Sequence, residues 1–361
     1  MASINDTVRR WKTETAYFAA SNSYKGFYSY FEQIFRNDGI DHLYIIKGGP
    51  GTGKSSLMRY IAERCESVGG EIEYYYCSSD QSSLDGIIVR LARACIAVID
   101  GTAPHALEPA LPGVREEIVD LGQFWRSEAL YRAEVGERVE ALCREKGRLF
   151  NEAVCYLAAY ERVVAAKHSE LSPRDGRLHF RAREILSELG VKKNGRALPS
   201  LIDSVGVHGR LRLSTFERLA VECYRIPVLH GIGFDLLCAI CEAARSGGLE
   251  MRISFDPIIP TRINAILFEG DGICLYVDEG HINSPKDVKD IDVTLHCRFN
   301  HDRVKELETV GAQLYGLALE KLGTIAGKHA ELEQIYIDAM DFESVNTFRE
   351  HLCDRILSAF A

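Results

Sequence analysis

The sequence predicts an α/β protein made of two tandem three-layer α/β domains, each carrying a helical arm. Three observations predict it. Between Tyr44 and Cys65 a buried-strand run, a glycine-rich loop and an apolar-periodic helix follow one another. Two longer stretches carry helical spacing with charges between the apolar positions. The second half also repeats the strand pattern of the first at a constant offset. The boundaries expected are 1–175 for the first domain, with its arm over about 114–168, and 176–361 for the second, with an arm and a C-terminal helix.

In chain order, Thr15 to Phe31 is rich in aromatics and small residues, broken by the turn cluster Ser21-Asn22-Ser23. It reads as a packing layer on the sheet, or as a segment whose Tyr17, Tyr24, Lys25 and Tyr28 touch a base or ribose. Phe31 to Phe35 looks helical. Tyr44-Ile45-Ile46 ends a strand, and Gly48-Gly49-Pro50-Gly51-Thr52-Gly53-Lys54-Ser55 fits G-x-x-x-x-G-K-[ST] at every fixed position. Glycines let backbone N–H groups wrap a phosphate without Cβ clashes, and the following helix start, through Ser56, adds donors and dipole charge. Lys54 can reach the terminal phosphates and the Ser55 hydroxyl can ligate Mg²⁺. Leu57, Met58, Ile61, Ala62 and Cys65 form the apolar face of that helix, and Gly69-Gly70 closes it.

Glu71 to Cys77 reads as a second strand, and Ser78 to Ser83 as a polar loop at its end, where ligands of open α/β sheets sit. Leu84 to Ala94 is expected to be a short helix. Cys95 to Asp100 is an apolar strand closed by an acid, which can carry a carboxylate to the Mg²⁺ site. Asp80 is either a substrate-binding or general-base carboxylate or, like Asp85, an Asx-turn or helix-cap residue. His105 is either a γ-phosphate sensor or an ordinary loop histidine. From Val114 to His168 the arm carries Arg115, Arg126, Arg132, Arg138, Arg144 and Arg148 among acids, a solvated face or a lid with one arginine at the phosphate.

Gly48 to Ser55 resembles the Walker A loop of P-loop NTPases, and Cys95 to Asp100 resembles their Walker B strand. The layout also resembles an uncharacterised bacterial family of tandem-domain P-loop ATPases. The carrying residues are Gly26-Phe27, Gly48 to Ser55, Cys77 to Asp80, Ser83 to Gly86 and Ile99 to His105. The resemblance implies ATP and Mg²⁺ as cofactors. Loop residues Gly48, Gly49, Pro50, Gly51, Thr52, Gly53, Lys54, Ser55 and Ser56 would hold the nucleotide, and Ser55 and Asp100 the metal. Lys54, Asp100, Asp80 and His105 are the catalytic candidates. No acid follows Asp100 directly, which argues against vigorous hydrolysis.

An offset of 178 places Gly69-Gly70 on Gly247-Gly248 and Cys95–Asp100 on Ile273–Asp278. The same offset places Lys54 on Ile232 and Ser55 on Gly233, so the second loop reads as degenerate and Asp278-Glu279 as structural or partner-binding. The reading is therefore a slow ATPase or nucleotide-dependent switch with one Mg-ATP site, against a small-molecule or nucleotide kinase using Asp80. A binding module without turnover is the third reading. The two halves are expected to pack as an internal pseudo-dimer, in which Arg225 or Arg298 could act as an arginine finger. A homo-oligomer and an unidentified protein partner stay open.

The net charge of −9 argues against nucleic acid and acidic membranes as partners. Eleven cysteines scattered among apolar residues read as reduced thiols of a cytoplasmic protein. Cys238-x-x-Cys241 reads as core packing. No apolar run approaches ~20 residues, and the N-terminus lacks an apolar leader core, so neither a span nor a signal peptide is expected.

Overall fold

The computed structural model describes residues 4–170, 177–278, 287–293 and 300–360. In the first half, helix α1 (Ile4–Arg10) leads into strand β1 (Thr15–Phe18), the hairpin β2 (Ala20–Ser23) and β3 (Gly26–Ser29), and helix α2 (Phe31–Phe35). Then come β4 (His42–Lys47), α3 (Lys54–Glu66), β5 (Glu71–Tyr76), β6 (Leu84–Arg90), β7 (Cys95–Asp100), β8 (Glu116–Asp120), the short α4 (Ser127–Leu130) and the long α5 (Ala133–Ser169). The second half contains α6 (Arg177–Leu189), β9 (Ala197–Pro199), the hairpin β10 (Asp203–Gly206) and β11 (Gly209–Arg212), α7 (Thr215–Leu219) and β12 (Glu222–Pro227). It continues with α8 (Ile232–Ser246), β13 (Met251–Phe255), β14 (Ile263–Phe268), β15 (Ile273–Asp278), β16 (Val288–Asp290), α9 (His301–Ala339) and α10 (Phe342–Phe360).

Each half holds one mixed six-stranded sheet flanked by helices, so the two tandem α/β units expected from the sequence are present. The first sheet runs β1-β5-β6-β7-β4-β8 and the second β9-β13-β14-β15-β12-β16. Element for element the order is the same, and so is each parallel or antiparallel pairing. The offset of 178 places β7 on β15 and the start of α3 on the start of α8. Gly53 and Gly231, each preceding its helix, are both left-handed (φ +88° and +116°), a conformation that costs a Cβ-bearing residue about 1 kcal/mol or more.

Several elements differ from the sequence expectation. Leu84 to Arg90 is strand β6, not a helix; it is antiparallel to both β5 and β7 and buried from Leu84 to Val89. A run buried on both faces gives no amphipathic signal to separate helix from strand. A Cβ on Gly86 would lie 2.6 Å from the Phe35 ring, so the α2 side chain fits against β6 only over a glycine. Thr15 to Phe18, expected as a packing layer, is the edge strand β1, parallel to β5. Tyr17 is buried there, which removes it from the list of base-contacting candidates. The arm helix begins at Ala133 rather than near 114, because 116–120 is strand β8 beside β4.

Helices α5 and α9 pair antiparallel along their length, each about 55 Å long. Arg138 with Glu331, the tilted ring pair Tyr160 and Tyr315 (5.7 Å, 36°) and Lys167 with Glu308 (3.4 Å) mark the register. Ala153, Leu157, Ala318 and Leu322 bury the middle of this pair against Val205, Ile258 and Ile259. Helix α5 leaves the first half and ends at the second, while α9 starts from the second and ends at the first. Helix α6 covers α8, whereas α10 returns to cover α3 and buries Leu352, Cys353 and Ile356 in the first core. The halves are joined directly by Phe18 N–H donating to Leu201 O (2.8 Å), Thr215 Oγ1 donating to Ala16 O (2.6 Å) and the Glu73–Arg252 pair (2.7 Å). Cys238 and Cys241 lie on α8 in the second core, both unbonded. Among the described residues, no helix is long and apolar enough to cross a membrane.

Candidate functional site

Strand β4 is buried from Leu43 to Ile46, and its C-terminal end delivers the loop 48–53 to the edge of the first sheet. Gly48 and Gly51 take positive φ (+156° and +72°), and the loop is tied by Thr52 Oγ1 donating to Gly49 O (2.9 Å). Lys54 turns back into the loop: its Nζ donates to Gly48 O (3.0 Å) and Gly49 O (2.7 Å) and lies 3.6 Å from Asp100 Oδ2. Asp100 is at the end of β7, the direct neighbour of β4, and its Oδ1 accepts from Thr102 N–H (2.9 Å) and Thr102 Oγ1 (2.6 Å). Ser55 Oγ accepts from Leu84 N–H (3.0 Å), which leaves its own proton free to donate. Lys54 and Asp100 thus lie together at the glycine loop, while the Ser55 hydroxyl, one residue along α3, faces the start of β6.

His105 and Asp85 extend this group. His105 lies flat against Phe31 (4.6 Å, 4°), with Nε2 3.4 Å from Asp85 Oδ2. Burial opposes the imidazolium, but the carboxylates of Asp85 and then Asp100 outweigh it and hold its pKa above the usual value. Asp85, Asp100 and His105 are all buried, and their donor atoms lie within 4.8 Å of one another; among the described residues this is the group able to hold a metal ion. Asp100 retains Oδ2 for a hard cation such as Mg²⁺, as does the Ser55 hydroxyl. Asp85, read from sequence only as a turn or cap residue, sits on β6 and belongs to this cluster. Its misread strand hid it.

Asp80 follows β5 and is held in a turn of its own. Its Oδ1 accepts from Ser82 N–H (3.1 Å) and Ser82 Oγ (2.7 Å), an Asx turn, and stands 3.5 Å from His208 Nε2 on the turn between β10 and β11.

The sequence does not reveal what covers the loop. Residues of α9, from the second half, press on it. A Cβ on Gly51 would lie 2.7 Å from Glu333 O and 2.9 Å from Ile337 Cγ1, and one on Gly49 would lie 3.1 Å from the Tyr336 ring. Close by, Lys146 Nζ of α5 meets His329 Nδ1 of α9 at 2.6 Å, and His329 Nε2 is 3.7 Å from Glu333 Oε1. Burial and the Lys146 charge push the His329 pKa down to about 4, so its ring is neutral at pH 7. Burial and the nearby Asp80 raise Glu333 above the usual carboxylate value. Five of the six arm arginines have partners away from Lys54 and Asp100: Arg115 donates to Asn37 O and Ile40 O, Arg126 to Asp338 O, and Arg138, Arg144 and Arg148 pair with Glu331, Glu140 and Glu152. Arg225 pairs with Asp290 (2.6 Å) and Asp278 (3.6 Å), while Arg298 and Glu279 lie outside the described residues.

In the second half the matching loop has collapsed. Leu229 to Gly231 forms a 3₁₀ turn with Leu229 and His230 at positive φ (35° and 55°), and Ile232 is fully buried at the position matching Lys54.

A family model described as Nephrocystin 3, N-terminal matches residues 28–127, from β3 through the loop, β4 to β8, to the start of α4. Comparison with curated proteins and with solved structures returns no match.

Proposed function

We propose that the first half binds a nucleoside triphosphate, ATP, with Mg²⁺ at the loop Gly48 to Ser56, and acts as a slow ATPase or nucleotide-dependent switch. The observation that carries this reading is the convergence of Lys54 and Asp100 at the glycine loop. An ammonium held by two loop carbonyls and a carboxylate 3.6 Å away is a cation that an arriving phosphate can take over, with Asp100 Oδ2 and the Ser55 hydroxyl as Mg²⁺ ligands. The left-handed glycines and the start of α3 supply backbone donors for the β-phosphate.

Slow turnover follows from the same surroundings. Thr102 takes Asp100 Oδ1, and His105 is stacked on Phe31 and faces Asp85, so neither is free to activate water. Asp80 is engaged in its own turn, which favours the ATPase or switch reading over an acceptor kinase.

The test is equilibrium binding of Mg-ATP followed by single-turnover phosphate release. Lys54→Ala is expected to weaken binding roughly ten- to hundredfold through loss of a charge-assisted contact. Asp100→Ala is expected to remove the Mg²⁺ dependence. Absence of Mg²⁺-dependent binding by the unaltered protein would end the proposal.

A further inference from the structure

We propose that Lys146 and His329, on opposite helices of the arm, form a sensor for the terminal phosphate of the nucleotide held by the first-half loop, so that the arm distinguishes triphosphate from diphosphate. The inference rests on the nucleotide reading above and adds to it a group from the second half.

The argument starts from helical spacing. His329, Glu333 and Tyr336 stand at i, i+4 and i+7 on α9, which places them on one face. Glu333 and Tyr336 pack on the loop at Gly51 and Gly49, so His329, one turn back, overlooks the space beyond the loop. The charges of Lys54 and Asp80 both act on His329.

The second step is donor accounting. The Lys146 ammonium donates to His329 Nδ1 at 2.6 Å. That fixes the neutral ring with its proton on Nε2. Lys146 is half-buried, and burial lowers its pKa. Among the described residues it makes no ion pair, whereas Lys321 and Lys328 on the partner helix each meet a glutamate. Glu333 acts on the Lys146 charge through space, but among the described residues no carboxylate lies within ion-pair distance, and a partly buried ammonium in that position favours an incoming anion. With Lys54 at the loop, the third phosphate of a bound triphosphate extends toward this Lys–His pair. A diphosphate ends short of it.

The test measures binding of ATP, a non-hydrolysable ATP analogue and ADP, each with Mg²⁺, to the full chain. Lys146→Gln is expected to weaken both triphosphates roughly tenfold and leave ADP within about twofold. His329→Ala is expected to act in the same direction more weakly. Lys146→Arg should restore discrimination, and Lys321→Gln, an equal charge change elsewhere on the arm, should leave it intact. Equal loss of ATP and ADP in Lys146→Gln, or no change in the ratio, overturns the sensor. If the unaltered protein binds neither nucleotide, the reading of the loop itself fails, and the sensor with it.

Discussion

The contact between α9 and the glycine loop can be isolated by comparing two glycine substitutions. Gly51 and Gly53 both sit at positive φ (+72° and +88°), so an alanine at either position meets a similar left-handed penalty of about 1–2 kcal/mol. Their surroundings differ. At Gly53 the nearest atom to a new Cβ is a Phe342 ring carbon at 3.8 Å, ordinary contact, whereas at Gly51 it is the Glu333 carbonyl oxygen at 2.7 Å, with Ile337 Cγ1 at 2.9 Å. The carbonyl belongs to a helix backbone and cannot rotate aside. Overpacking of this kind costs about 1–3 kcal/mol.

Gly51→Ala should therefore be less stable than Gly53→Ala by that amount, the shared backbone term cancelling. The assay is urea denaturation of both variants, followed by fluorescence of Trp125, whose indole meets Tyr336 at 5.7 Å. The α9 contact predicts that the Gly51→Ala midpoint falls below that of Gly53→Ala and that the Trp125 signal changes already in native buffer. Equal midpoints with an unchanged native signal would refute the packing of α9 on the loop.

Other consequences follow from the joint between the halves and from the collapsed second loop. Glu73 on β5 is buried and bonded to Arg252 of β13 and Arg90; Glu73→Ala should destabilise by about 3–5 kcal/mol, because it leaves Arg252 buried with less compensation. Burial alone would raise the Glu73 pKa, but Arg252 and then Arg90 lower it to about 2, so its contribution is present above its unfolded pKa near 4.5 and is lost as pH falls from there to about 2; acid titration of stability should show this fall in the unaltered protein and not in Glu73→Gln. His329 is held neutral with its pKa down at about 4; the unfolded chain binds the proton first, so stability should fall by about 1–2 kcal/mol, discounted for its partial exposure, as pH drops from 6.5 to 4, and His329→Gln should flatten that slope. In the second half, Ile232→Lys with Gly233→Ser would copy Lys54 and Ser55, yet it should destabilise by several kcal/mol and create no nucleotide binding: Ile232 is fully buried, and a Cβ at Gly233 would lie 2.4 Å from Pro227 O.

The elements with local signals were legible. The loop and its helix announce themselves because Gly48, Gly51 and Gly53 serve a local backbone need, each at positive φ. β7 could be read as an apolar run closed by an acid, and the offset of 178 recovered the duplication because strand length and the helix start are preserved. β6 could not be read, since a strand buried on both faces carries no alternation, and with it Asp85 was left out of the cluster it joins. The arm was legible as a helix but not in its partner. Which α5 side chain faces the loop is decided by the rotation of α5 against α9, and of Arg138, Arg144, Arg148 and Lys146 the one delivered there is the lysine. His329, Glu333 and Tyr336 lie some 280 residues after the loop they cover, as Tyr336 and Gly49 show (336 − 49 = 287), and nothing in their own spacing refers to it.

The exchange of helices between the halves gives the duplication a mechanical meaning. Each arm helix begins on one sheet and ends over the loop of the other: α9 at Gly49 and Gly51, α5 at Gly231, where His168 Cδ2 is 3.5 Å from a would-be Cβ and His168 Nε2 meets Asp235 at 2.6 Å. On the second side that contact is closed by an ion pair and a buried isoleucine, so it is fixed. On the first side it is closed over glycines, beside an ammonium bonded to a neutral imidazole rather than to a carboxylate, which is where the proposed sensor would meet an anion. Under the proposed sensor, a shift of α9 at the first loop would be carried to the second half by the α5–α9 pair, which meets Asp235 there through His168.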